Sequence, residues 1–110
     1  MPTSLLLILS TTPDRETAAA LARTLVEDKL AACVNLIPQV TAIYEWQGRL
    51  EESSEVLLLI KTTKHNYLAV ESALRAQHPY ELPEILAVPV DQGLPGYLDW
   101  VERCTNTDIS

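Results

Sequence analysis

Leu5-Leu6-Leu7-Ile8-Leu9 and Val56-Leu57-Leu58-Leu59-Ile60 are the two stretches that decide the fold, because each is apolar at every position. A strand with one wet face alternates apolar and polar residues, so an unbroken run predicts a strand covered on both faces. The first run is closed by Ser10-Thr11-Thr12-Pro13-Asp14, which predicts a helix start. Thr12 is the expected N-cap and Pro13 the first helical residue, where a missing N–H costs nothing; Asp14 and Glu16 then meet the positive end of the helix dipole. Ala18, Leu21, Ala22, Leu25 and Val26 follow as an apolar stripe at helical spacing.

Further along, Ala31 to Ile37 reads as a strand interrupted by Pro38, which cannot donate to a ladder and so belongs at an edge or a bulge. Val40, Ala42, Tyr44 and Trp46 then alternate with Thr41, Ile43 and Glu45, the pattern of a half-buried strand with its aromatics on one face. Gln47-Gly48 supplies a two-residue turn, and the return strand runs from Arg49 to Thr62, making a long hairpin. Thr63 is the expected cap of a second helix whose Tyr67, Val70, Ala73 and Leu74 face inward and which stops at His78-Pro79. The stiff segment Tyr80-Glu81-Leu82-Pro83 leads to a strand from Glu84 to Val90. After it, Gly93-Leu94-Pro95-Gly96 opens a terminal helix with Tyr97, Leu98, Val101 and Cys104 on one side.

The order is therefore βαββαβ plus a helix, an α+β class. Right-handed crossovers give a ferredoxin-like antiparallel sheet with both main helices on one face and strands one and three at its centre. The helix-free face of those two strands also needs a cover. A short terminal helix is too small for it, and the natural cover is another subunit. One domain spanning 1–110 accounts for the whole chain, since a domain of this length buries roughly two-thirds of the surface of its unfolded chain.

The formal net charge of -7 excludes a nucleic-acid partner and an anionic membrane surface, both of which need clustered Lys and Arg. From His78 onward six acids (Glu81, Glu84, Asp91, Asp99, Glu102, Asp108) face a single base, Arg103, so that region would attract cations or serve as a solvated surface. No positive residue precedes the first apolar run, and that run is too short for a signal core or a membrane span. Cys33 and Cys104 form no CxxC pair, which fits free thiols in a reducing compartment, and the expected location is cytoplasmic.

Several functions of this topology are excluded by the residues themselves. An RNA-recognition module needs exposed aromatics where this chain has Val56-Leu57-Leu58-Leu59-Ile60. A soft-metal chaperone needs thiolates after strand one, where the chain has Ser10-Thr11-Thr12-Pro13-Asp14, and a phosphate cradle needs glycine, which is absent before Gly48. No Ser-His-Asp or Cys-His arrangement emerges, so no catalytic residue is assigned.

Taken in order, Thr12-Pro13-Asp14, Lys29-Leu30-Ala31-Ala32-Cys33-Val34-Asn35, Tyr44-Glu45-Trp46-Gln47-Gly48, Glu55-Val56, Lys61-Thr62 and His78-Pro79-Tyr80-Glu81-Leu82-Pro83-Glu84-Ile85 resemble the CutA divalent-cation-tolerance family from about Leu5 to Val101. The resemblance implies a homotrimer linked to tolerance of copper and other divalent cations, without an established catalytic activity. It also implies kinship in architecture with trimeric PII signalling proteins, whose ligands bind in clefts between subunits. In bacterial members a copper site is placed at a Cys ending strand one and two adjacent His ending helix two; here those positions hold Ser10, Gln77 and His78. Ser and Gln are poor copper ligands, so the resemblance leaves His78, with Glu81 or Glu84 for company, as a weak site for Cu(2+) or another divalent cation. The metal expectation is thus His78 and Glu84, against a structural reading in which His78 simply sits at the helix C-terminus. His65 reads as a surface residue.

Tyr44, Trp46, Lys61 and Tyr80 are the expected lining of an inter-subunit cleft. The competing readings are a PII-like pocket for a small anionic metabolite near Lys61, reported to a protein partner, and plain interface packing of the aromatics. Cys33 reads as a small core residue.

Overall fold

The computed structural model describes residues 3–105; residues 1, 2 and 106–110, including Asp108, lie outside the described residues. The chain runs β1 (Leu5–Thr12), α1 (Arg15–Glu27), β2 (Cys33–Trp46), β3 (Arg49–Thr63), a 3-10 turn (Lys64–Asn66), α2 (Tyr67–Gln77), β4 (Leu86–Pro89) and α3 (Pro95–Cys104). One four-stranded antiparallel sheet has the order β2-β3-β1-β4, so the two unbroken apolar runs are its central pair, with Ile8 opposite Ile60.

Side-chain parity divides the sheet into two faces. Leu6 and Ile8 of β1 and Val56, Leu58 and Ile60 of β3 pack under α1 and α2 with Leu21, Leu25, Val70 and Leu74. The opposite face presents Leu7, Leu9, Leu57 and Leu59; Leu7, Leu9, Leu57 and Leu59 are all half-buried. At one end of that face α3 seals Leu5 and Ala32 with Val101, Leu98 and Cys104. Its centre stays open, continued on the flanking strands by exposed Ile37, Leu86 and Val88. The need for a second cover, expected from sequence, is thus present in the fold.

The hairpin is the dominant shape. β2 and β3 pair from Cys33↔Lys61 out to Trp46↔Arg49, and the molecule measures 47 × 28 × 21 Å. Pro38 falls where the register shifts between Ile37 and Val40, at a bulge on an edge strand, with Gln39 at φ 60 absorbing the extra residue. Gln47 (φ 52) and Gly48 (φ 79) both take left-handed backbone, the conformation a type I′ turn requires.

Three sequence expectations are corrected. The N-cap of α1 is Asp14, whose carboxylate accepts the Thr17 N–H at 2.8 Å, because Thr12 stays in the ladder opposite Val56 and its hydroxyl donates to the Asp14 carbonyl. Pro13 therefore precedes the helix, and the Thr17 amide and hydroxyl hold the Asp14 carboxyl below its usual range. Thr63 starts only the 3-10 turn and accepts from Asn66 Nδ2, so α2 begins at Tyr67. β4 is confined to Leu86–Pro89, leaving Glu84 in the preceding loop.

Candidate functional site

After α2 the chain rounds the end of β1. His78 closes the helix with its N–H on the Leu74 carbonyl. The ring Nδ1 then accepts the Tyr80 N–H at 3.1 Å, which places the hydrogen on Nε2, and Nε2 donates to the Thr11 carbonyl at 2.7 Å. These bonds pin the loop 78–84 across β1 onto the helix-free face. There it faces the outer half of the hairpin and borders a cavity of about 610 Å³.

The cavity is lined by Thr11, Ala42, Ile43, Tyr44, Trp46, Glu55, Pro79, Tyr80, Glu81, Leu82 and Glu84. Glu55 is its polar centre. The residue is only 7% exposed, and its Oε2 accepts from Ser53 Oγ at 2.9 Å and from the Tyr80 hydroxyl at 3.3 Å. Burial, with the Glu55 charge and hydrogen bond beside it and smaller contributions from Tyr44 and Asp14, pushes the Tyr80 phenol up to about 12.

The sign of the linkage follows. Between its ordinary value of 10.0 and about 12 the folded protein keeps a proton on Tyr80 that the unfolded chain has lost. The stabilisation is complete below pH 10 and disappears as the pH rises through the folded value. Denaturant titrations from about pH 9 to about pH 12 should show stability falling across this window in the parent and falling less in Tyr80→Phe. Identical profiles would mean that Tyr80 is not held by Glu55.

The structure brings Tyr44, Trp46, Tyr80 and Glu84 together, four of the expected site residues. It leaves two out. Lys61 is not in the lining; it donates to Asn35 Oδ1 and lies 3.8 Å from Cys33 Sγ, farther along β3. His78 is not in the lining either, and both of its ring nitrogens are engaged. Cys33 is half-buried at the edge of the open face, not in the core.

The copper triad that the resemblance implies does not assemble as a donor set. Ser10 is fully buried with its hydroxyl unpartnered, Gln77 Oε1 accepts from Thr24 Oγ1 at 3.4 Å, and His78 is occupied as described. Among the described residues no three His, Cys, Asp or Glu side chains group to hold a metal ion. Sequence reasoning missed Glu55 as the centre of the site. The available signal was its position on the same strand parity as Leu57 and Leu59, an acid at the margin of the face that needs covering.

A family model described as CutA1 divalent ion tolerance protein matches residues 6–104. The chain belongs to that family. A mouse relative, Protein CutA, is 49% identical over 107 residues, covering 97% of this chain, which spans only 60% of that relative's length. Among solved structures, the divalent cation tolerance protein (Cut A1) of Thermus thermophilus superposes with a TM-score of 0.90 at 45% identity, over 93% of this chain and 99% of that one. The periplasmic divalent cation tolerance protein CutA of Archaeoglobus fulgidus superposes with a TM-score of 0.90 at 34% identity, over 93% and 99%. The CutA fold is thus reproduced here with its long hairpin. A periplasmic relative also means that CutA membership does not fix the compartment. Among the described residues no helix is long and apolar enough to cross a membrane.

Proposed function

We propose that this CutA chain acts as a non-enzymatic, cytoplasmic homotrimer in divalent-cation tolerance, holding metal ions weakly at the cavity carboxylates and not at His78. The observation that carries the reading is the cavity lining, which contains Glu55, Glu81 and Glu84 and no Lys, Arg or His. Glu81 is exposed and Glu84 borders the same opening, so both can turn toward an ion, whereas His78 has no lone pair left to offer. Two carboxylates with water completing the shell make a weak site for hard or borderline ions. The trimer is supported by the open apolar face and the long free edge of β2, which a closed ring would cover. Two free thiols support a reducing compartment.

Light scattering should give a mass near three times 12.2 kDa that persists on dilution. Calorimetry of chelator-stripped protein with copper, zinc and magnesium should show weak binding that Glu81→Gln with Glu84→Gln removes. A stable monomer would overturn the assembly, and full binding in the double variant would overturn the site.

A further inference from the structure

The cavity joins aromatic faces to negative charge, a combination that binding a divalent ion does not use. We propose that it is a site for an alkylated organic ammonium ion, held by Glu55 and by the rings of Tyr44, Trp46 and Tyr80. This inference is independent of the metal reading above.

The starting point is Glu55. Its carboxylate is nearly enclosed, and the groups that bond to it, the Ser53 and Tyr80 hydroxyls, carry no charge. No cation is paired with it among the described residues. A carboxylate buried without a counter-charge is costly, and a ligand that brings the positive charge removes that cost. The space beside it is large enough: about 610 Å³ lies within the roughly 300–1,000 Å³ of small-organic-ligand sites.

The wall chemistry selects the class of cation. A divalent metal asks for about six oxygens around one point; since no three candidate ligands group among the described residues, such an ion would keep most of its water and leave the aromatic walls unused. Much of the wall is apolar: Ala42, Ile43, Pro79 and Leu82 share it with Tyr44, Trp46 and Tyr80. An alkylammonium spreads its charge over its methyl or methylene groups, which pack on apolar walls while aromatic faces attract them electrostatically. An anion is excluded by three carboxylates and the absence of any basic lining residue, since Lys61 lies elsewhere.

The test uses the assembled full chain with Trp100→Phe, which removes a tryptophan outside the cavity and leaves Trp46 as the reporter. Choline is titrated against fluorescence and by calorimetry, beside its uncharged carbon isostere, dimethylbutanol. The expected result is a saturable Trp46 response to choline, with the isostere and Glu55→Gln each about tenfold weaker. Glu84→Gln, at the rim, should weaken binding in the same direction and guards against a folding defect in the Glu55 variant. Equal affinity for the isostere, unchanged choline affinity in both variants, or no saturable response would overturn the proposal. Magnesium and copper titrations of the same sample separate the two readings: divalent binding without choline binding sinks only the organic-cation site, and the reverse sinks only the metal site.

Discussion

Trp46→Ala is expected to release smaller species from the assembly, lower the thermal midpoint and make that midpoint depend on protein concentration. The hairpin extends beyond the helices of its own subunit, and near its tip Trp46 is 41% exposed, Ile43 65% and Leu50 80%. A single chain covers these side chains only in part, and a hairpin of this length with an apolar tip is stable only if a neighbour shields the rest. A large aromatic anchored at such a junction commonly costs about 2 kcal/mol or more on truncation. Trp100 provides the control. It lies on α3 with its ring 5.5 Å from that of Tyr97, so Trp100→Ala should loosen the terminal helix and leave the mass unchanged. Light scattering and melting curves over a wide range of dilution decide between them. If Trp46→Ala keeps its mass and midpoint while Trp100→Ala dissociates, the assembly contact lies at α3 and not at the hairpin.

What the sequence made legible was set by local periodicity. The unbroken runs at Leu5 to Leu9 and Val56 to Ile60 identified the central strands and the uncovered face, and Pro38 and Gln47-Gly48 marked the bulge and the turn. These features depend on near neighbours, which a sequence displays directly. The site depends on partners that are not close in the chain. Tyr80 reaches Glu55 across 25 positions and His78 reaches Thr11 across 67, and no spacing rule predicts either meeting. Lys61 was misplaced for a related reason. It shares strand parity with Glu55, so it lies on the correct face of β3, but the extended chain between them separates the two by roughly 20 Å. The error at Thr12 was of the opposite kind, a local signal overridden by a distant one. Thr12 is a good N-cap by residue type, yet pairing with Val56 holds it in the sheet and hands the cap to Asp14.

His78→Ala should destabilise each subunit while leaving affinity for copper unchanged, the reverse of what a metal ligand would show. The imidazole links two backbone segments that are far apart in the chain: Nε2 donates to the Thr11 carbonyl at the end of β1, and Nδ1 accepts from Tyr80 at the start of the loop. Its ring also lies 4.8 Å from that of Tyr80, tilted by 48°. Alanine removes both hydrogen bonds and leaves a backbone carbonyl and a backbone N–H in a partly buried site without partners, at a cost of about 2–3 kcal/mol. Tyr80 would then be free to leave Glu55, so the alkaline stability loss traced to Tyr80 should shrink in the same variant. His78→Asn, whose side-chain oxygen can stand where Nδ1 stands, should recover the bond to Tyr80 but not the one to Thr11, and its midpoint should fall between parent and alanine. Metal titrations complete the comparison. Copper binding that disappears in His78→Ala with the midpoint intact would show that the ring leaves its two backbone partners to bind the ion, and would return His78 to the metal site.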